Sequence, residues 1–153
     1  MPTLRQTVVV PYLQEQPDLH TVQTPVAWGE LLSAQNAELA FEPLPFDHPL
    51  LVLYSSGATG LPKPIVQGHG GILLEHLKSL SLHLDLKPED RFFWFTTTGW
   101  MMWNFLISGL TLGSTILLYD GIPAFPNIGA LWQFAEQTGM TYFGTSALTY
   151  SHA

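Results

Sequence analysis

Short apolar runs alternate with amphipathic stretches along most of the chain. Residues 7–10, a threonine and three valines halted by Pro11, predict a buried strand of β-branched side chains. Residues 13–24 are polar and unpatterned, and predict a loop. Thr24 at the cap and Pro25 in the first turn open a short helix that reaches about Gln35. Pro43, Pro45 and Pro49 then force an extended connection into an apolar strand over 50–54.

Beyond a Gly/Ser/Thr-rich stretch, Ile65, Val66 and Gln67 predict a short strand, and residues 68–71 turn the chain into a helix over 72–84. Leu73, Leu77, Leu80 and Leu84 recur at helical spacing as its buried stripe. Residues 87–90 form a charged turn, and the aromatic run 92–95 predicts a buried strand. Residues 100–107 are apolar all round, which for a helix means burial on every side, as core or as the wall of a pocket. Asn104 is the polar exception and, once buried, needs a partner. A strand over 114–119 and a loop of prolines follow. Asn127 then caps a helix running to about Gln137, with Ile128, Leu131, Trp132 and Ala135 inward and Gly139 as its stop. Residues 140–143 predict a last strand, and Gly144, Thr145, Ser146 and Ala147 a second small polar turn. Strands alternating with helices imply an α/β fold, a mostly parallel sheet covered by helices.

Composition sharpens this picture. Charged residues make up only 11% of 153, against about 25% in a typical soluble domain, and mean hydropathy is +0.19. So much apolar surface on so few charges predicts a piece of a larger protein, whose other parts cover what is exposed here. The net charge of -7 comes without a basic stripe, which argues against nucleic acid or an anionic membrane as partner. No apolar run reaches the 18 residues or more of a membrane span. The absence of cysteine removes disulfides, thiolate metal sites and a cysteine nucleophile. No signal-peptide pattern is present, so a cytoplasmic location is expected. His69, His76 and His83 are evenly spaced, but seven residues of helix rise about 10.5 Å, too far for ligands that each lie about 2.1 Å from one zinc. They are expected on a helix face, and no metal site is predicted.

The candidate chemistry lies in residues 54–64, directly behind the strand at 50–54. Ser55, Ser56, Gly57, Thr59, Gly60 and Lys63 offer hydroxyls, free backbone N–H groups and one ammonium, the means of surrounding a phosphate. The spacing is not Gly-x4-Gly-Lys-Ser/Thr, and Pro62 and Pro64 oppose the helix that a dinucleotide fingerprint requires. A plain Gly/Ser turn is the other reading of the same residues. The strand before the loop is expected to place it at a strand's C-terminal end, where open α/β sheets hold ligands.

The run Ser55-Ser56-Gly57, Thr59-Gly60 and Pro62-Lys63 resembles the phosphate-binding signature of the adenylate-forming enzymes, the superfamily of acyl-CoA synthetases, luciferases and peptide-synthetase adenylation domains. Residues 46–49, 68–76, 96–105, 118–121 and 143–147 narrow the resemblance to the acetoacetate-activating ligases of that superfamily. The resemblance implies a two-step reaction of acetoacetate, Mg-ATP and CoA, with residues 1–153 as a single partial adenylation domain. It implies that the loop holds phosphates, Lys63 as a pyrophosphate contact, and that Trp100, Met101, Asn104, Gly144, Thr145 and Ser146 lie near the acyl pocket. It names no catalytic residue within the chain. Ala58 departs from the signature, which carries a hydroxyl there; a lost hydrogen bond to a charged group is worth about 1.5–3 kcal/mol, or about one to two powers of ten in nucleotide binding. The family's adenine- and magnesium-binding Gly-x-Thr-Glu, its ribose-binding aspartate and its C-terminal lysine have no counterpart here, so the chain alone is expected not to turn over. A non-catalytic remnant or interaction module that keeps the fold is the competing expectation, and a different acyl or aryl substrate a third.

Overall fold

A computed structural model of the chain describes residues 3–12, 14–32, 38–55 and 60–146. The backbone falls into two compact units, Met1–Pro43 and Leu44–Ala153.

In the first unit, strand β1 (Thr7–Val9) pairs in parallel with β2 (Pro25–Ala27), Val8 opposite Val26. The helix expected to open at Thr24 and Pro25 is therefore a strand at its start, and helix α1 (Trp28–Leu32) begins only after it. Thr24 has a φ of 48° and its carbonyl accepts from the Thr7 N–H at 2.9 Å. That bond draws residues 25–27 alongside β1, and proline is tolerated as a strand's first residue. The expected helix end near Gln35 lies outside the described residues.

The second unit opens with β3 (Pro49–Ser55) and β4 (Lys63–Gly68), an antiparallel pair in which Ser55 faces Lys63 and Leu53 faces Ile65. The register shifts between Pro49 and Leu51, at the base of the hairpin. The strand expected at 65–67 is thus longer at both ends, and the apolar strand before the loop belongs to a hairpin rather than to a parallel sheet.

Helix α2 (His69–Leu77) starts three residues before the expected 72. Gly70 explains it: its N–H donates to the Phe46 carbonyl at 2.8 Å, and a Cβ there would run into the Phe46 ring. The glycines are the first helical turn, not a turn ahead of it. From Lys78 to His83 the helix widens into π geometry. Its inward face carries His76 and Leu80, both buried, with Leu84 partly so, whereas Leu73 is exposed. The expected leucine stripe is thus partly replaced by a histidine.

Strands β5 (Arg91–Trp94), β6 (Thr115–Leu117) and β7 (Tyr142–Gly144) form a wholly parallel sheet in the order β6-β5-β7. Successive side chains of a strand point to opposite faces, and on the central strand both faces are covered. Phe92, fully buried, meets Leu80, Leu86 and Leu106 on one side; Phe93, equally buried, packs its ring on Phe134 and Phe143 on the other. Phe134 belongs to α4 (Ala130–Thr138), and Leu106 to α3 (Met101–Ile107). The expected sheet with helical cover is present.

Two helices are less buried than their patterns imply. Of α3, Leu106 is buried while Met101 and Ile107 are exposed, so the helix is embedded on one side rather than all round. It continues as a 3-10 turn, Ser108–Leu112, stopped by Gly113 at φ 79°. In α4, Ala130 and Leu131 are buried, and Trp132 is half exposed with its ring stacked on Phe143 at 4.9 Å; Ile128, ahead of the helix, is exposed. Asn127 lies two residues ahead of the Gly129 N-cap instead of capping the helix, its Oδ1 accepting from the Gly129 N–H at 2.8 Å, and Gly139 closes the helix at φ 60° as expected. Among the described residues no helix is long and apolar enough to cross a membrane.

Candidate functional site

The hairpin register brings Ser55 and Lys63 face to face at the open end of β3 and β4. Gly60, Leu61 and Pro62 lie exposed at the tip; Ser56, Gly57, Ala58 and Thr59 lie outside the described residues. Lys63 is exposed, and among the described residues no carboxylate forms a salt bridge with it. A hydroxyl and an unneutralised ammonium thus flank the loop. This is a hairpin connection between antiparallel strands, not the C-terminal edge of the parallel sheet expected for it.

Between β4, α2, β5 and α3 lies a cavity of about 330 Å³. Its wall is mostly apolar, including Ile72, Leu84, Met101, Met102 and Phe105, and it includes Gln67 and Trp94. Gln67 Oε1 and Trp94 Nε1 are buried and have no hydrogen-bond partner. Glu75 at the same wall is held by Lys78 at 2.6 and 2.8 Å, a bond that keeps its carboxyl below the usual carboxylate range.

Trp94 is fixed by its surroundings. It pairs with Gly144 across the sheet, its ring stands edge-on to Phe105 at 5.7 Å, and a Cβ built on Gly144 would fall inside the ring. Gly144 therefore seats the indole.

The residues expected near the acyl pocket are spread over several elements of this unit. Met101 lines the 330 Å³ cavity. Asn104 lines a larger one, about 540 Å³, with Phe46, Leu50, His69 and Gly70. Trp100 caps α3, is exposed and lines neither. Gly144, Thr145 and Ser146 sit at the C-terminal end of β7, Gly144 buried and the others half-buried; Thr145 Oγ1 is buried without a partner.

His76 links the two cavities, lining both. Rather than lying on an open helix face, it is buried, at 5% exposure. Its Nδ1 is 2.7 Å from Ser108 Oγ, and that hydroxyl donates to the Asn104 carbonyl at 2.8 Å. A carbonyl can only accept, so the hydroxyl proton is committed and Nδ1–H must be the donor. Burial pushes the His76 pKa down, partly opposed by Glu75, so the ring is neutral near pH 7. It ties α2 to the α3 end as a structural group. Among the described residues no group of three or more His, Cys, Asp or Glu could hold a metal ion.

Sequence reasoning missed Gln67 and Trp94 as site residues. The available signal was Gln67 itself, a lone amide behind Ile65 and Val66; Trp94 was hidden inside an aromatic run that reads as core.

The model of the AMP-binding enzyme family matches residues 3–149. An acetoacetyl-CoA synthetase of Danio rerio is 43% identical over 154 residues, covering 96% of this chain and 23% of its own length. A malonamoyl-CoA synthetase of Penicillium aethiopicum is 41% identical over 127 residues, covering 76% of this chain and 18% of its own. The solved acetoacetyl-CoA synthetase from Streptomyces lividans is 60% identical with a TM-score of 0.83, over 97% of this chain and 22% of that one. The chain thus spans less than a quarter of the length of these relatives. A match that runs almost from end to end and includes both the hairpin and the parallel sheet behind it makes this chain a member of the AMP-binding enzyme family.

Proposed function

We propose that this chain supplies the phosphate grip and part of the acyl cavity of an ATP-dependent acetoacetate–CoA ligase, as part of one adenylation domain. The observation that carries the reading is the hairpin, which sets Ser55 opposite Lys63 at the two ends of the signature loop. In the reaction, a carboxylate oxygen of the acid attacks the α-phosphorus of ATP and pyrophosphate leaves; the CoA thiol then attacks the acyl carbon and AMP leaves. The work of this segment is electrostatic. Lys63, the hydroxyls of Ser55, Ser56 and Thr59, and the N–H groups of Gly57 and Gly60 steady the phosphates. Magnesium neutralises the triphosphate when bound; the described residues offer it no cluster of protein ligands, and Lys63 is the positive charge they bring.

The relatives bear on the acid. The acyl groups in two of their names, acetoacetyl and malonamoyl, each carry a carbonyl at the third carbon, with a methyl group on it in one and an amino group in the other. A short acid with that 3-carbonyl fits a small chamber with a few polar atoms.

Titration of the chain with ATP tests the reading. Lys63→Ala is expected to weaken binding about 10- to 100-fold, the worth of a charged hydrogen bond, and Ala58→Thr to tighten it. An affinity unmoved by Lys63→Ala would refute the phosphate grip. The departure at Ala58 favours a second reading, a non-catalytic remnant; it gains if Ala58→Thr creates ATP binding that the chain itself lacks. In either case the chain alone is expected to release no pyrophosphate in response to acetoacetate.

A further inference from the structure

Gln67 Oε1 and Trp94 Nε1 are buried atoms without partners, and their residues stand on the wall of the same cavity of about 330 Å³. Unmet polar atoms in a folded interior call for an explanation. Here their placement supplies one, because a small apolar chamber with a few fixed polar atoms is how an orienting site for a small molecule is built. The indole N–H can only donate. The amide offers a carbonyl oxygen or, turned over about its last bond, an NH₂.

We infer that Trp94 Nε1–H and the Gln67 amide read the 3-carbonyl of a short acid, and so set the acid specificity of this chain; the inference rests on the ligase reading above. With a 3-oxo acid, the oxygen accepts from the indole and from the turned amide, and the terminal methyl lies against Met101 and Met102. With a 3-amide acid, the carbonyl accepts from the indole while the NH₂ donates to Gln67 Oε1 in its present orientation. One pair of side chains serves both. A saturated acid of equal length leaves both atoms unpaired, and a site built to hydrogen-bond a substrate discriminates against the analogue that lacks the group. Gly144 is a positioning residue for this contact, since it leaves room for the indole plane.

The test is a titration of the ¹⁵N-labelled chain with acetoacetate and, separately, with butyrate, followed at the indole N–H signals of its five tryptophans and at the methionine methyls. Trp94→Phe assigns the Trp94 signal and removes the donor; Gln67→Leu removes the amide without touching the ring. Acetoacetate is expected to move the Trp94 N–H downfield and butyrate not to, with binding about tenfold tighter for acetoacetate. Each variant is expected to bring that preference close to unity. Saturable shifts of the Met101 and Met102 methyls with an unmoved Trp94 N–H would overturn the inference and leave the ligase reading standing, as would a preference kept in both variants. Neither acid moving any cavity resonance would overturn the acid-binding reading, and the inference with it.

Discussion

Replacing Gly144 with alanine adds one carbon where the Trp94 ring already lies. Gly144 has no positive φ, so the backbone accepts alanine and the cost is purely steric. The residue is buried, it pairs with Trp94 across the sheet, and its carbonyl accepts from the Phe95 N–H at 2.8 Å; the strands cannot separate without losing bonds. The indole is pinned in turn by Phe105. Overpacking of this kind costs about 1–3 kcal/mol. Urea unfolding followed by circular dichroism is expected to show the loss as a lower midpoint at unchanged slope. The cause is isolated by a second variant: on a Trp94→Ala background, where the ring is gone, Gly144→Ala is expected to cost less than about 0.5 kcal/mol, the difference being the coupling between the two positions. Equal losses on the two backgrounds would refute the steric account.

Other outcomes follow from the core and from His76. Phe92→Ala removes a fully buried ring at the centre of the sheet and is expected to cost about 3–5 kcal/mol, measured by the same unfolding; a loss under 1 kcal/mol would contradict its place in the core. His76 has a folded pKa below its unfolded value of 6.5, so below that pH the unfolded chain binds the proton first. Stability is therefore fully present above about pH 6.5 and declines as pH falls toward the folded pKa, at no more than about 1.4 kcal/mol per pH unit. His76→Gln is expected to flatten that decline in urea midpoints taken across the range, and an unchanged slope would exclude His76 as its source.

The alternation of short apolar runs and amphipathic stretches made the parallel sheet and most helices legible, because those patterns follow from burial on one face or two. Less legible were features set by partners distant in sequence. Pro25 reads as a helix start, yet a hydrogen bond from Thr7 fixes Thr24 and makes the next residues a strand. The early start of α2 depends on Phe46 lying against Gly70, which local spacing cannot show. Ile128 has the right period but lies ahead of the helix and exposed, and Trp132 is half exposed over Phe143, since periodicity finds a stripe and tertiary packing decides its breadth. At the site, the loop signature was visible because its chemistry is contiguous. The cavity was not, because Gln67, Trp94 and Met101 come together from separate elements and an unpaired buried atom leaves no mark on the sequence.

The pairing of β3 with β4 also fixes a length. Lys63, Ile65 and Gln67 alternate onto one face of β4, and the register shift at the hairpin's base leaves the ladder from Lys63 to Gln67 unbroken. Four residues of strand separate the Cα atoms of Lys63 and Gln67 by about 13 Å, a spacing of the backbone from which both side chains start. A slip of one residue would turn both groups to the other face together. On the reading proposed above, grip on the nucleotide and recognition of the acid are set by a single strand, and neither moves without the other.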